Sequence, residues 1–196
     1  MNDVLRRLPE WPVYIFGLLP AVRFLWLGMT GGLGVEPISA LEHALGITAL
    51  QFLIASLLVT PLRRYAGINL LKFRRALGLL GFIYVCLHLL TWLVLDMSML
   101  WGQIVNDIIE RPYITIGFMA FVPLVPLAAT STKKAIRRMG PRWQMLHRLA
   151  YVSVILGAVH FVMQEKLWTT ESLIYLVATI GLVAMRLLWR RRRVVR

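Results

Sequence analysis

The sequence predicts an all-α membrane protein, a six-transmembrane-helix bundle with both termini in the cytoplasm. Three observations carry that reading. Hydrophobic residues make up 59% of the 196 and charged residues only 16%, and the mean hydropathy is +0.70. A soluble domain is roughly 45–50% apolar. Six apolar stretches come close to the ~20 residues that a spanning helix needs. The basic residues, net charge +13, fall in short clusters between these stretches, as in cytoplasmic loops.

The same numbers exclude other classes. A soluble globule of this size has no interior large enough for so much apolar surface, and a disordered chain requires low hydrophobicity. Dispersed clusters give no nucleic-acid-sized basic face, so no nucleic acid is expected as a partner. The single cysteine, Cys86, excludes a disulfide framework, a thiolate zinc site and an iron–sulfur cluster within one chain. No Cys-x-x-Cys-His occurs, which excludes covalent c-type haem.

The expected spans are residues 13–28, interrupted by Pro20 and Arg23; 42–60, closed by Pro61; 76–95, ended by Asp96; 112–129, containing Pro123 and Pro126; 143–164; and 172–189. Each must be helical, because an unpaired backbone amide in hydrocarbon costs several kcal/mol. The first is read as a retained helix, since it lacks a small-residue cleavage site. Arg6 and Arg7 precede it. Arg63, Arg64, Lys72, Arg74 and Arg75 follow the second span. Lys133, Lys134, Arg137, Arg138 and Arg142 follow the fourth, and Arg190 to Arg193 and Arg196 form the tail. The alternate loops hold Glu36, Asp96, Asp107, Glu110, Glu165 and Glu171, with Arg111 and Lys166 as cations. The positive-inside rule then sets the orientation. Trp11, Trp101, Tyr113, Trp143 and Trp168 fall near the inferred interfaces, as an aromatic belt would.

Polar residues inside spans are the functional candidates. His43, His88, His147 and His160 each lie in or at the end of a span. His88, in the third, and His160, in the fifth, are expected at similar depth near the outer face. Two imidazoles at one depth on different helices can clamp a flat ligand, and bis-imidazole ligation saturates haem iron for electron transfer. Such a haem would be b-type. His147 precedes His160 by 13 residues, roughly 20 Å along a helix, which offers a second, inner ligand. The spacing leaves the two rings about 140° apart on an ideal helix, so a bend or a different ligand approach is required if both face haems. Arg74, with Arg75 beside it, lies 14 residues before His88, near the same helical face. It is placed to hold a haem propionate or a flavin phosphate, or is one of the loop's orienting charges. His43 is a candidate ligand-site residue or a hydrogen-bonded helix contact. Arg23, costly in a span, should find Glu42, a haem propionate or a quinone oxygen, or snorkel outward. A zinc site or proton relay is another use of the histidines, and the alternative protein is a small membrane transporter or scaffold whose histidines relay protons or pack.

Several motifs in order resemble one family. They are Arg74-Arg75-Ala76-Leu77-Gly78, Leu87-His88-Leu89, Arg111-Pro112-Tyr113-Ile114-Thr115-Ile116-Gly117, Thr130-Ser131-Thr132, and Trp143-Gln144-Met145-Leu146-His147 with Tyr151, closing on His160. Gly31-Gly32-Leu33-Gly34 and Glu42-His43 also fit. From about Leu18 to about Leu188 the chain is similar to the MsrQ (YedZ) family of the ferric-reductase-like transmembrane group. The resemblance implies one such domain over 1–196 in the bacterial inner membrane. It implies an electron-transfer subunit rather than a catalytic one, with one or two b-type haems. His88 and His160 would bind the outer haem iron and His147 an inner one near Arg74. Ferric reductases at large carry a second histidine on the third helix where Arg74 stands. The implied partner is a periplasmic molybdopterin-dependent methionine-sulfoxide reductase subunit, within membrane lipid. No flavin or nicotinamide domain follows the sixth span, so the expected electron donor is a cytoplasmic flavin reductase, a diffusible flavin or a quinol. The family's flavin mononucleotide finds no motif here.

Overall fold

The computed structural model describes residue 5, residues 7–165 and residues 168–194. Arg6, Lys166 and Arg196 of the charge pattern lie outside the described residues. Among the described residues there is no strand, and six helical segments are long and apolar enough to cross a membrane. The elements are α1 (Trp11–Met29), α2 (Pro37–Tyr65), α3 (Arg74–Leu90) continuing as a π-helix (Thr91–Asp96), α4 (Trp101–Glu110), α5 (Pro112–Ala129), α6 (Lys133–Met139), α7 (Pro141–Leu146), α8 (Leu149–Gln164) and α9 (Thr170–Val194). They cluster into two compact units, Met1–Arg111 and Pro112–Arg196.

In the first unit α2 and α3 pack along each other and α1 lies against both. The centre is Tyr84, fully buried among Ala21, Leu41, Leu45 and Ala49, with the Phe52 ring 5.4 Å away. Pro20 cannot donate to the α1 ladder and weakens it locally. The Tyr84 hydroxyl enters at this point. It donates to the Gly17 carbonyl at 2.7 Å and accepts from the Ala21 amide at 3.0 Å. A side chain thus bridges a backbone pair that an unbroken helix would join directly.

Two expectations about this unit are corrected. Pro61 does not close the second span: α2 runs from Pro37 through Pro61 to Tyr65. Proline removes one ladder bond, and burial of Leu57, Val59 and Pro61 itself against neighbours holds the helix together. Arg23 does not pair with Glu42, and of its two expected courses the outward one is seen. It stands on the exposed face of α1, while Glu42 Oε1 is buried with no hydrogen-bond partner among the described residues. One helical position decides this, since Ala21 faces the core and Arg23 is rotated about 200° from it.

In the second unit α8 packs on α5 and on α9. Ser153, Val154, Ala158, Phe161 and Val162 supply its buried side, and Phe161 meets the edge of Tyr175 at 5.8 Å. The fifth span is not one straight helix. It breaks into α7 and α8 at His147 and Arg148.

Candidate functional site

His88 lies in the last turn of α3, immediately before the π-helix. Its Nδ1 is 2.9 Å from the backbone oxygen of Glu42 on α2. A carbonyl only accepts, so Nδ1 carries the proton and the neutral ring has its lone pair on Nε2. The ring rests on Gly46, one turn along α2: a Cβ built there would stand 3.3 Å from Nδ1. Thr91 supports the turn by donating its hydroxyl to the Leu87 carbonyl at 2.9 Å. The Thr91 backbone amide also reaches the Leu87 and His88 carbonyls, so the hydroxyl adds a second donor at Leu87, where the α-helix gives way to the π-helix.

His160 lies in the last turns of α8. Its Nδ1 is 2.7 Å from the Tyr113 backbone oxygen on α5, which sets the same tautomer. A Cβ at Gly117, one turn further along α5, would stand 3.0 Å from this nitrogen. The two histidines therefore have matching surroundings, each within its own unit. A backbone acceptor behind a ring is the arrangement that orients metal-ligating imidazoles and raises their basicity.

His147 is different. It caps α7, stacks on Trp143 with ring centroids 3.8 Å apart, and its Nε2 is 3.1 Å from the Thr130 hydroxyl oxygen. Thr130 donates its one proton to the Pro126 carbonyl at 2.6 Å, so His147 is the donor through Nε2–H. Trp143, expected as a belt residue, also has a fixed partner: its indole N–H donates to the Thr130 carbonyl at 3.0 Å.

Arg75 pairs with Glu10 at 2.9 Å, both about one-third exposed, and Lys72 donates to the Leu8 carbonyl at 2.6 Å. These cations fasten the loop before α3 to the segment before α1. Arg74 starts α3 beside Arg75. His43 is half-buried on α2, about 100° around the helix from the Glu42 carbonyl that receives His88.

Arg186, on α9, was missed by the sequence reading. It is buried, with 8% of its surface exposed. It donates to the Tyr151 hydroxyl at 3.3 Å and lies 5.8 Å from that ring's centroid. Its signal was present: an arginine within the apolar run Ile174 to Leu188.

Among the described residues, no group of three or more His, Cys, Asp or Glu side chains is gathered to hold a metal ion. The prepared donors are single imidazoles, which suit a metal that brings its other ligands with it.

Residues 43–158 match the family described as ferric reductase like transmembrane component. Curated relatives match at 48% identity. One, from Brucella anthropi, aligns over 92% of this chain and 80% of its own length. Others, from Brucella ovis and Brucella suis, align over 93% of this chain and 81% of their own length. Each is named protein-methionine-sulfoxide reductase heme-binding subunit MsrQ. Helices and match together define a multi-pass protein of the bacterial inner membrane, of the ferric-reductase-like transmembrane class. Within that class, the chain belongs to the MsrQ family.

Proposed function

We propose that this chain is the haem-bearing electron-transfer subunit of a methionine-sulfoxide reductase system, in which His88 and His160 would hold a b-type haem. The observation that carries the reading is the shared state of these two rings. Both hold the Nδ1 proton on a helix carbonyl and present the Nε2 lone pair. The residues fit the group: each ring is oriented before iron arrives, and a glycine leaves room for it. With iron held by imidazole at both of these residues, a haem would supply single-electron exchange without an open position for oxygen.

The charge distribution supports cytoplasmic termini. Electrons then enter from a quinol or a cytoplasmic flavin reductase and leave to a periplasmic molybdopterin-dependent reductase. The relatives' name supports a reductase partner. His147 and Arg74 are the candidates for an inner haem. For His147 to ligate through Nε2, its bond to Thr130 must be released.

The test is the absorption spectrum of purified protein from haem-replete cells. A Soret band that shifts on dithionite reduction is expected. His88→Ala and His160→Ala should each lose the low-spin bis-histidine signature. A colourless preparation, or full wild-type spectra from both variants, would sink the assignment. A pyridine haemochrome assay counts haems per chain.

A further inference from the structure

We propose that Gly46 and Gly117 are positioning residues, the floors of two copies of one imidazole seat, and that the side chain they lack fixes the ring geometry of His88 and His160. The inference rests on the haem reading above and deepens it.

Each seat has three parts: a helix carbonyl, a glycine four residues later on the same helix, and a histidine from the next long helix packed against it. In the first unit these are Glu42, Gly46 and His88. In the second they are Tyr113, Gly117 and His160. The histidine follows its carbonyl by 46 residues in one seat and 47 in the other.

Helical side chains tilt toward the N-terminus, so the side chain at position i+4 lies over the carbonyl at i. That carbonyl already accepts the amide of i+4, and its second lone pair is normally shielded. Glycine at i+4 uncovers it. An imidazole N–H approaches from the side at 2.9 Å in one seat and 2.7 Å in the other. A Cβ would occupy the ring's place. It would lie 3.3 Å from Nδ1 and 3.4 Å from Cε1 of His88, and 3.0 Å and 3.1 Å from the same atoms of His160. Gly78 and Gly181 also lie in apolar helices, yet a Cβ at either meets nothing within 4 Å. Open space of that kind makes them neutral controls.

A methyl group at either seat lengthens the Nδ1–H···O bond and turns the ring. A weaker bond makes the imidazole less basic, which favours ferrous over ferric iron. The midpoint potential should therefore rise.

The experiment compares Gly46→Ala, Gly117→Ala and Gly78→Ala in detergent-purified, haem-loaded protein. It reads haem content, low-spin electron paramagnetic resonance g-values and midpoint potential. Gly117→Ala should shift the g-values, raise the potential and weaken haem binding on the order of tenfold, as loss of outer-shell support commonly does. Gly46→Ala should move the same way by less, and Gly78→Ala should match wild type. A second arm needs no haem. If the methyl strikes the ring, Gly117→Ala lowers the thermal unfolding midpoint of the apoprotein, and does so much less in a His160→Ala background.

Wild-type spectra and potentials from both seat variants, while His88→Ala and His160→Ala lose haem, would overturn the seats and leave the haem reading intact. Retention of haem by both histidine variants overturns the haem reading and the electronic role of the glycines with it. If Gly117→Ala fails to fold, Gly117→Ala/His160→Ala should fold like His160→Ala; a double variant that also fails overturns the seat.

Discussion

His147 donates its Nε2 proton to the hydroxyl oxygen of Thr130 at 3.1 Å, the reverse of the protonation that His88 and His160 share. The ring also lies on Trp143, whose indole N–H reaches the Thr130 carbonyl. Three residues thus tie the end of α5 to the break between α7 and α8. His147→Ala is expected to keep the haem proposed for His88 and His160. It should cost stability, about 1 kcal/mol for the hydrogen bond and a similar amount for the stacked ring. Thermal unfolding and the low-spin signal measure the two separately; loss of that signal in His147→Ala would refute the separation.

Tyr84→Phe removes one oxygen and leaves two helix groups, the Gly17 carbonyl and the Ala21 amide, without their partner in an apolar surrounding. An unmade buried hydrogen bond costs about 1–3 kcal/mol. The loss should loosen α1 from α2 and α3, seen as faster proteolysis within α1 and a lower unfolding midpoint. Tyr84→Leu should be worse, because it also empties the centre of the first unit.

Arg75 and Glu10 are both partly exposed, and exposed pairs contribute about 0–1 kcal/mol. Arg75→Ala should therefore unfold within a degree or two of wild type and retain haem. Loss of half the haem in this variant, with folding unchanged, would instead place Arg75 at the cofactor.

Arg186 and Tyr151 join α8 and α9 through a ring face and a hydroxyl. Tyr151→Phe keeps the face and should cost about 1 kcal/mol. Tyr151→Leu loses both and should cost roughly 2 kcal/mol or more in this desolvated place. Equal unfolding midpoints for the two variants would show that the ring contributes nothing to holding the guanidinium.

The six spans were legible because crossing a membrane constrains composition along one dimension. Val13 to Gly28 or Ser172 to Trp189 can be read without knowing any neighbour. The histidines were legible for the same reason, as polar residues in apolar runs. What escaped depends on contacts. Pro61 reads as a stop, but burial of its surroundings carries α2 past it. Arg23 reads either as paired inside the bundle or as snorkelling outward, and only the direction of its helical face decides for exposure. Helix α4 falls where the charges read as loop, although Trp101, Val105 and Ile109 recur at four-residue intervals and are exposed together, the pattern of a helix lying at an interface. Gly46 and Gly117 leave no periodic trace at all, since their role is an absence of atoms beside a ring from another helix.

The His88 and His160 rings are each held by a carbonyl and a glycine of their own unit, so their directions are set with no cofactor present. On the proposed haem reading, the helices would fold first and the pigment would be loaded onto rings already aimed to receive it.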